Sequence, residues 1–216
     1  MRFRITFLFL MVCAVAFGRP QRRGVVVDTV CNAPLSAMLD AAAKYCRQFQ
    51  NQSDSLYQWA YVGIDKREKE DTVKKKTKDS RSAILLDYKE RVYDPVLKTG
   101  DLTIDIYVLG VRWWKDQHLG TKYTLTRPAA SQYPLTAKMV ATYSGSILEG
   151  GEVIFRLNPI DENHTSVHYE FNLTFGKVLS AFISDKTWKN AIEWRFQIII
   201  RNLVEYAETG TVSPKD

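Results

Sequence analysis

The clearest pattern in the chain is a strict alternation between Thr165 and Phe175. Val167, Tyr169, Phe171, Leu173 and Phe175 are apolar, and His168, Glu170, Asn172 and Thr174 between them are polar. A period of two sends successive side chains to opposite faces, so this segment is predicted to be a strand with one dry side and one wet side. The pattern recurs over 24–30, 56–64, 82–92, 102–111, 121–126, 134–147 and 152–157, with Gly, Pro, Asn and Asp between the runs. Such spacing fits an antiparallel meander, in which one sheet face meets water. Two stretches carry a helical period instead. Asn32-Ala33-Pro34 supplies cap and first-turn chemistry for a helix to about Phe49 with Leu35, Met38, Leu39 and Ala42 on its apolar side. A short piece over 177–183 precedes a longer helix from Ser184-Asp185, where Trp188, Ile192, Phe196, Ile199, Leu203 and Tyr206 recur every three or four residues and Gly210 ends the run. An amphipathic helix that comes last must hide its stripe on the dry face of the sheet.

The N-terminus has a different character. Arg2 and Arg4 precede an apolar run from Ile5 to Phe17, and Ala16-Phe17-Gly18 offers small residues before Arg19-Pro20. This is the layout of a cleavable signal peptide, and the run falls short of the roughly 20 residues that span a bilayer. The expected organisation is a signal peptide over 1–18, a short basic tail over 19–23, a single domain over 24–210 and a tail over 211–216. The expected destination is the secretory lumen or the exterior, or the periplasm in a bacterium. Removing two arginines and no acid with residues 1–18 lowers the formal charge from +6 to +4. That mild excess is interleaved with acid and matches no nucleic-acid-binding module. The one dense run, Lys66 to Asp79, reads as a solvated loop that could also touch an anionic surface.

Export changes how two other features are read. Cys31 and Cys46 would meet an oxidising compartment, yet a helix from Pro34 places Cys46 ~18 Å from its start. A disulfide needs Cα atoms within about 7 Å, so pairing requires that helix to break or Cys31 to fold back along it. Asn51-Gln52-Ser53, Asn163-His164-Thr165 and Asn172-Leu173-Thr174 fit the N-glycosylation pattern. Asn172 falls on the predicted wet face, as an acceptor should.

Catalytic signatures are sparse. His118 and His164 fall in polar connections and His168 on a wet strand face, none at metal-ligand spacing, so neither a metal nor a cofactor is expected. No nucleophile elbow, phosphate-binding Gly loop or Cys-x-x-Cys pair occurs. His168 and Glu170 share a face and could act as an acid/base pair, although an exposed strand face explains them as well. Glu90 shares the phase of Leu86, Tyr88 and Val92 and would face the core unless the strand bulges first. Of Trp113 and Trp114, framed by Arg112 and Lys115, only one can enter the core; the other caps an edge or gates an entrance, and aromatics beside basic residues also suit transient contact with a membrane surface.

Strand, helix, meander and long C-terminal helix, with Tyr143-Ser144-Gly145-Ser146-Ile147, Gly151-Glu152-Val153-Ile154-Phe155-Arg156-Leu157-Asn158-Pro159, Thr165-Ser166-Val167-His168-Tyr169-Glu170 and the ending Arg201-Asn202-Leu203-Val204-Glu205-Tyr206-Ala207-Glu208, resemble the START-like (SRPBCC) superfamily of lipid-transfer and polyketide-cyclase-type domains. The resemblance implies an α+β helix-grip fold: a curved antiparallel sheet of six to seven strands gripping the last helix, with an apolar cavity between them. Cavity candidates are then Leu86, Tyr88, Glu90, Ile104, Ile106, Tyr123, Leu125, Met139, Tyr143, Phe155, Tyr169, Phe171, Trp188, Ile192, Phe196 and Ile199. Any of them serves equally as plain core. The reading is a secreted binder of an apolar small molecule such as a lipid, sterol or polyketide-like ring. The alternatives are a cyclase- or hydrolase-type enzyme in the same cavity, or a secreted protein-interaction module with a filled core.

Overall fold

A computed structural model describes residues 19–50, 84–94, 96–108, 111–145, 147–181, 183–189 and 193–212. The elements are β1 (Gln21–Cys31), α1 (Leu35–Gln50), β2 (Ile84–Asp94), β3 (Thr99–Val108), β4 (Val111–Thr126), β5 (Leu135–Ser144), β6 (Leu148–Pro159), β7 (Thr165–Phe175), α2 (Lys177–Ser180), α3 (Asp185–Trp188) and α4 (Trp194–Thr209). β7 has the limits its alternation predicts. β1 begins at Gln21, so Gln21, Arg22 and Arg23 are strand residues paired with Phe175, Thr174 and Leu173, where the sequence suggested a free basic tail. The expected strand over 121–126 is only the end of the 16-residue β4, which takes in Trp113, Trp114 and His118. His118 is therefore a strand residue and not part of a polar connection. The expected strand over 56–64 and the Lys66 to Asp79 run lie outside the described residues.

Among the described residues seven strands form one antiparallel sheet in the order β1-β7-β6-β5-β4-β3-β2. Every neighbour after β1 is a sequential hairpin, and β1 closes against β7. Register sorts the side chains into two faces. On the inner face a row crosses the sheet as Leu125, Met139, Val153, Phe171 and Val25, and a second as Ala137, Phe155, Tyr169 and Val27. On the outer face Arg156, His168 and Asp28 form one row, and Glu152 and Asn172 lie opposite Gly24 in another.

Helix α4 lies along the inner face, with Ile199, Ile200 and Leu203 buried against Leu135, Leu157, Val167 and Tyr169. This is the helix-grip arrangement. α1 joins the same core through Met38 and Ala41, and Pro34 opens it by accepting the amide of Ala37 at 3.0 Å. α4 ends as its sequence indicates: Gly210 takes φ 74°, a left-handed angle open to glycine, and returns its N–H to the Tyr206 carbonyl at 2.8 Å. Two ties lock the same pole. Thr165 Oγ1 donates to the Ala33 carbonyl at 3.0 Å, and the Asn32 amide donates to Glu208 at 2.7 Å. Among the described residues no helix is long and apolar enough to cross a membrane.

Cys31, the last residue of β1, is free and fully buried against α4, and Cys46 lies within an unbroken α1. Burial pushes the Cys31 thiol up, the Glu208 carboxylate adds to this, and a backbone hydrogen bond from Ala33 partly opposes them. Alkylation of the native protein at pH 8 is expected to spare Cys31, read by peptide mass spectrometry, and to reach it once the chain is unfolded. Leu157 is 2% exposed at the centre of the core. Leu157→Ala is expected to lower unfolding free energy by about 2–5 kcal/mol in urea denaturation, the range for a truncated buried leucine.

Candidate ligand-binding face

The inner face has a closed half and an open half. In the closed half the Phe171 and Phe196 rings stack at 3.9 Å and 20°, Tyr169 stacks on Phe196 at 6.2 Å, and Phe155 meets Tyr169 edge-on at 6.4 Å. Trp188 lies parallel to Phe171 at 6.5 Å and edge-on to Phe175 at 5.9 Å. Each such pair adds about 0.5–1.5 kcal/mol beyond the area it buries. The indole N–H of Trp188 is not stranded, because it donates to the Gly24 carbonyl at 3.1 Å. Burial, with Tyr45 nearby, pushes the Tyr169 phenol well above its usual range and keeps it neutral. Tyr169, Phe171, Trp188, Phe196 and Ile199 are thus brought together, as core.

The open half is a stretch of β4 and β5 beyond the buried Leu119, Leu135 and Ala141. Tyr143 is half-buried against the cluster of Leu119, Leu148, Leu173 and Phe175. Tyr123 and Met139 are half-buried and belong to neither core cluster, and Leu125, although on the inner face, is 45% exposed. The row that passes under Phe196 at Phe171 and ends at the buried Val25 therefore begins uncovered at Leu125.

Register places Leu86 opposite Ile106 and Tyr88 opposite Ile104, but those side chains, and Ile192 entirely, lie outside the described residues. A shift between Tyr88 and Glu90 pairs Glu90 with Thr103, one position out of phase with the Tyr88–Ile104 pair. Thr103 shares the outer-face row of His118, with its hydroxyl 3.3 Å from the imidazole Nδ1. Glu90 thus pairs one position out of phase with Leu86 and Tyr88, and its side chain, like theirs, lies outside the described residues. The bulge that the alternation alone could not reveal sits just before it.

The outer face carries the polar chemistry. His168 Nδ1 lies 2.7 Å from Asp28, and its Nε2 is 4.0 Å from Glu170. Asp28, on the adjacent strand β1 but far away in sequence, is the nearer partner, so the two-apart spacing singled out the weaker contact. His118 Nδ1 stands 3.1 Å from Asp101. Asp105, fully buried, accepts the Asp116 amide at 2.8 Å and faces Arg112 at 3.3 Å, which pins a bulge where Asp116 takes φ 49°. The sequence reading passed over Asp105; its signal was an acid between Ile104 and Ile106. Trp114 is partly buried in the second core cluster. A shallow open cavity of about 380 Å³ also escaped the sequence reading; it spans β3 to β5 and is lined by Thr99, Gly100, Gly120, Thr121, Lys122, Thr142, Tyr143 and Ser144. Two strand glycines, Gly100 and Gly120, were the available clue. No cluster of His, Cys, Asp and Glu suited to a metal occurs among the described residues.

Neither a protein-family model nor a curated protein matches the chain. Solved structures do resemble it. The Zhui aromatase/cyclase from Streptomyces sp. R1128 aligns at 8% identity over 87% of this chain and 94% of its own, with a TM-score of 0.46. A conserved protein from Geobacillus kaustophilus aligns at 14% identity over 86% and 97%, TM-score 0.42. Ara h 8.0201 aligns at 10% identity over 87% and 98%, also at 0.42.

The outer-face ion pairs lead to a pH prediction. Glu152 lies 2.5 Å from both Lys138 and Arg22, and the hydrogen bond from Lys138, reinforced by Arg22, holds its carboxyl below the usual range. A carboxyl lowered by folding stabilises above its unfolded pKa, and that contribution fades as pH falls through the folded value. Glu152→Gln is expected to cost at most about 1 kcal/mol at neutral pH, the scale of exposed pairs. The difference from the parent should start to shrink as pH falls past the ordinary glutamate range, about 4.3, and vanish only below the lowered folded value, checked by urea denaturation across pH.

Proposed function

We propose that the chain is exported and binds an apolar small molecule, of lipid, sterol or fused-ring type, on the open half of the inner face. The observation that carries this reading is the uncovered end of the inner row at Leu125, Met139 and Tyr123. Apolar area left in water forgoes about 25 cal/mol per Å², and a concave apolar surface with a few polar groups is what a small ligand needs. The stacked half holds the floor rigid. Binding is preferred over catalysis because the inner positions of β4 from Leu119 onward, and of β5 to β7, carry no His, Asp, Glu or Cys. Export rests on the basic, apolar and small-residue order of residues 1–18.

A fluorescent fatty acid is expected to bind the secreted protein saturably at one site. Leu125→Asp puts a charge on the uncovered row without removing packed core, so it should weaken binding at least tenfold, about 1.4 kcal/mol, with the thermal midpoint unchanged. Absence of saturable binding, or full binding by the variant, would refute the reading.

A further inference from the structure

Of the glycosylation motifs in the sequence, Asn51 lies outside the described residues, and the surroundings of the other two differ sharply. Asn163 occupies the turn between β6 and β7, where it is exposed along with Asp161 and Glu162. The turn is built from its backbone: the Ile160 amide donates to the His164 carbonyl at 2.9 Å, and the Asn163 amide donates to the Asp161 carboxylate at 2.8 Å. The His164 imidazole closes on the same carboxylate at 2.8 Å. These bonds leave the Asn163 side-chain amide out of the framework. Thr165, the third residue of the motif, is buried, and its hydroxyl serves the fold through Ala33.

Asn172 sits in the middle of β7, with β1 on one side and β6 on the other. Its Oδ1 fills the space above Gly24, only 2.5 Å from where a Cβ would stand, and its Nδ2 donates to Glu170 at 2.7 Å. Its partner across the sheet is Glu152, already held by Arg22 and Lys138. A sugar on Nδ2 would have to displace Glu170 and enter that ion-paired row.

From this contrast we infer that Asn163 is the acceptor of an N-linked glycan and that Asn172 is not modified in the folded protein. The inference rests on the export half of the functional reading. The co-reactant is a lipid diphosphate-linked oligosaccharide. The Asn163 side-chain nitrogen bonds to the anomeric carbon of the sugar, the bond from that carbon to phosphate oxygen breaks, the amide gives up one proton, and the lipid diphosphate leaves with the electron pair. Transfer takes place on the extended chain, and folding then selects: the turn accommodates a glycan that projects into solvent, and the crowded strand does not.

The test expresses the full chain in eukaryotic secretory cells, collects protein from the medium and releases glycans with peptide N-glycosidase in heavy-oxygen water. This converts each formerly glycosylated asparagine to labelled aspartate, and peptide mass spectrometry reads each site separately, so Asn51 does not interfere. The expected result is label at 163 and unmodified asparagine at 172. Asn163→Gln should remove one glycan's mass from the secreted protein, while Asn172→Gln should leave the glycoform pattern unchanged. The wild-type site map stands even if a variant fails to fold. A secreted chain bare at Asn163, or one carrying a glycan at Asn172, overturns the inference and leaves the export reading standing; a chain retained in the cytosol overturns both.

Discussion

The fold depends on the stack of Phe171 against Phe196, which joins the inner sheet and α4 at 3.9 Å. Phe171 is fixed from both sides, by Val25 on β1 and Val153 on β6, so its ring cannot turn away without disturbing three strands. Phe196 in turn carries Tyr169, and Trp188 packs beside Phe171 from the short helix before α4. Close packing of this kind leaves little freedom for the elements it joins. Once the stack is set, the position of α4 over β1, β7 and β6 follows, and so does the fact that β4 and β5 are left less covered.

The division of the inner face therefore has a physical origin. One amphipathic helix of 16 residues presents a single stripe, and a sheet of seven strands is wider than that stripe. The half under α4 becomes core. The other half presents Leu125, Met139 and Tyr123 where the stripe no longer reaches. Charge is kept to the opposite face, where Glu152 with Lys138 and Arg22, and His168 with Asp28, sit over the backbone of β1, β5, β6 and β7.

Much of this was legible in the sequence because it rests on short periods. The limits and faces of β7 follow from its alternation, and α4 ends where Gly210 indicates. The packing of a terminal amphipathic helix on the dry face of one sheet follows from the same periods, whereas the helix-grip form of that packing was what the family resemblance implied. What escaped depends on register between strands, which no local period records. The shift before Glu90 moves it to the row of Thr103. The bulge held by buried Asp105 sits in a β4 that runs on through a segment read as a connection, which is why His118 was misplaced. The Gln21–Arg23 residues look like a free basic tail because their strand character comes from β7, far away in sequence. The cavity candidates divided along the same line: inward phase could be read residue by residue, whereas coverage depends on where a helix on another part of the chain comes to rest.

The pairing of β1 with β7 also sets a timetable. Gln21 meets Phe175, and Asn32 meets Glu208, so the first strand has no sheet to join until nearly all the domain has left the ribosome. Folds dominated by such distant partners assemble slowly, because loop closure has to precede the contacts that reward it. Through that interval the Val25-Val26-Val27 segment travels unpaired, an apolar β-prone stretch of the kind that draws chaperones or other copies. Arg22, Arg23 and Asp28 flank it with charge, and so they guard the nascent chain before they help hold the finished sheet.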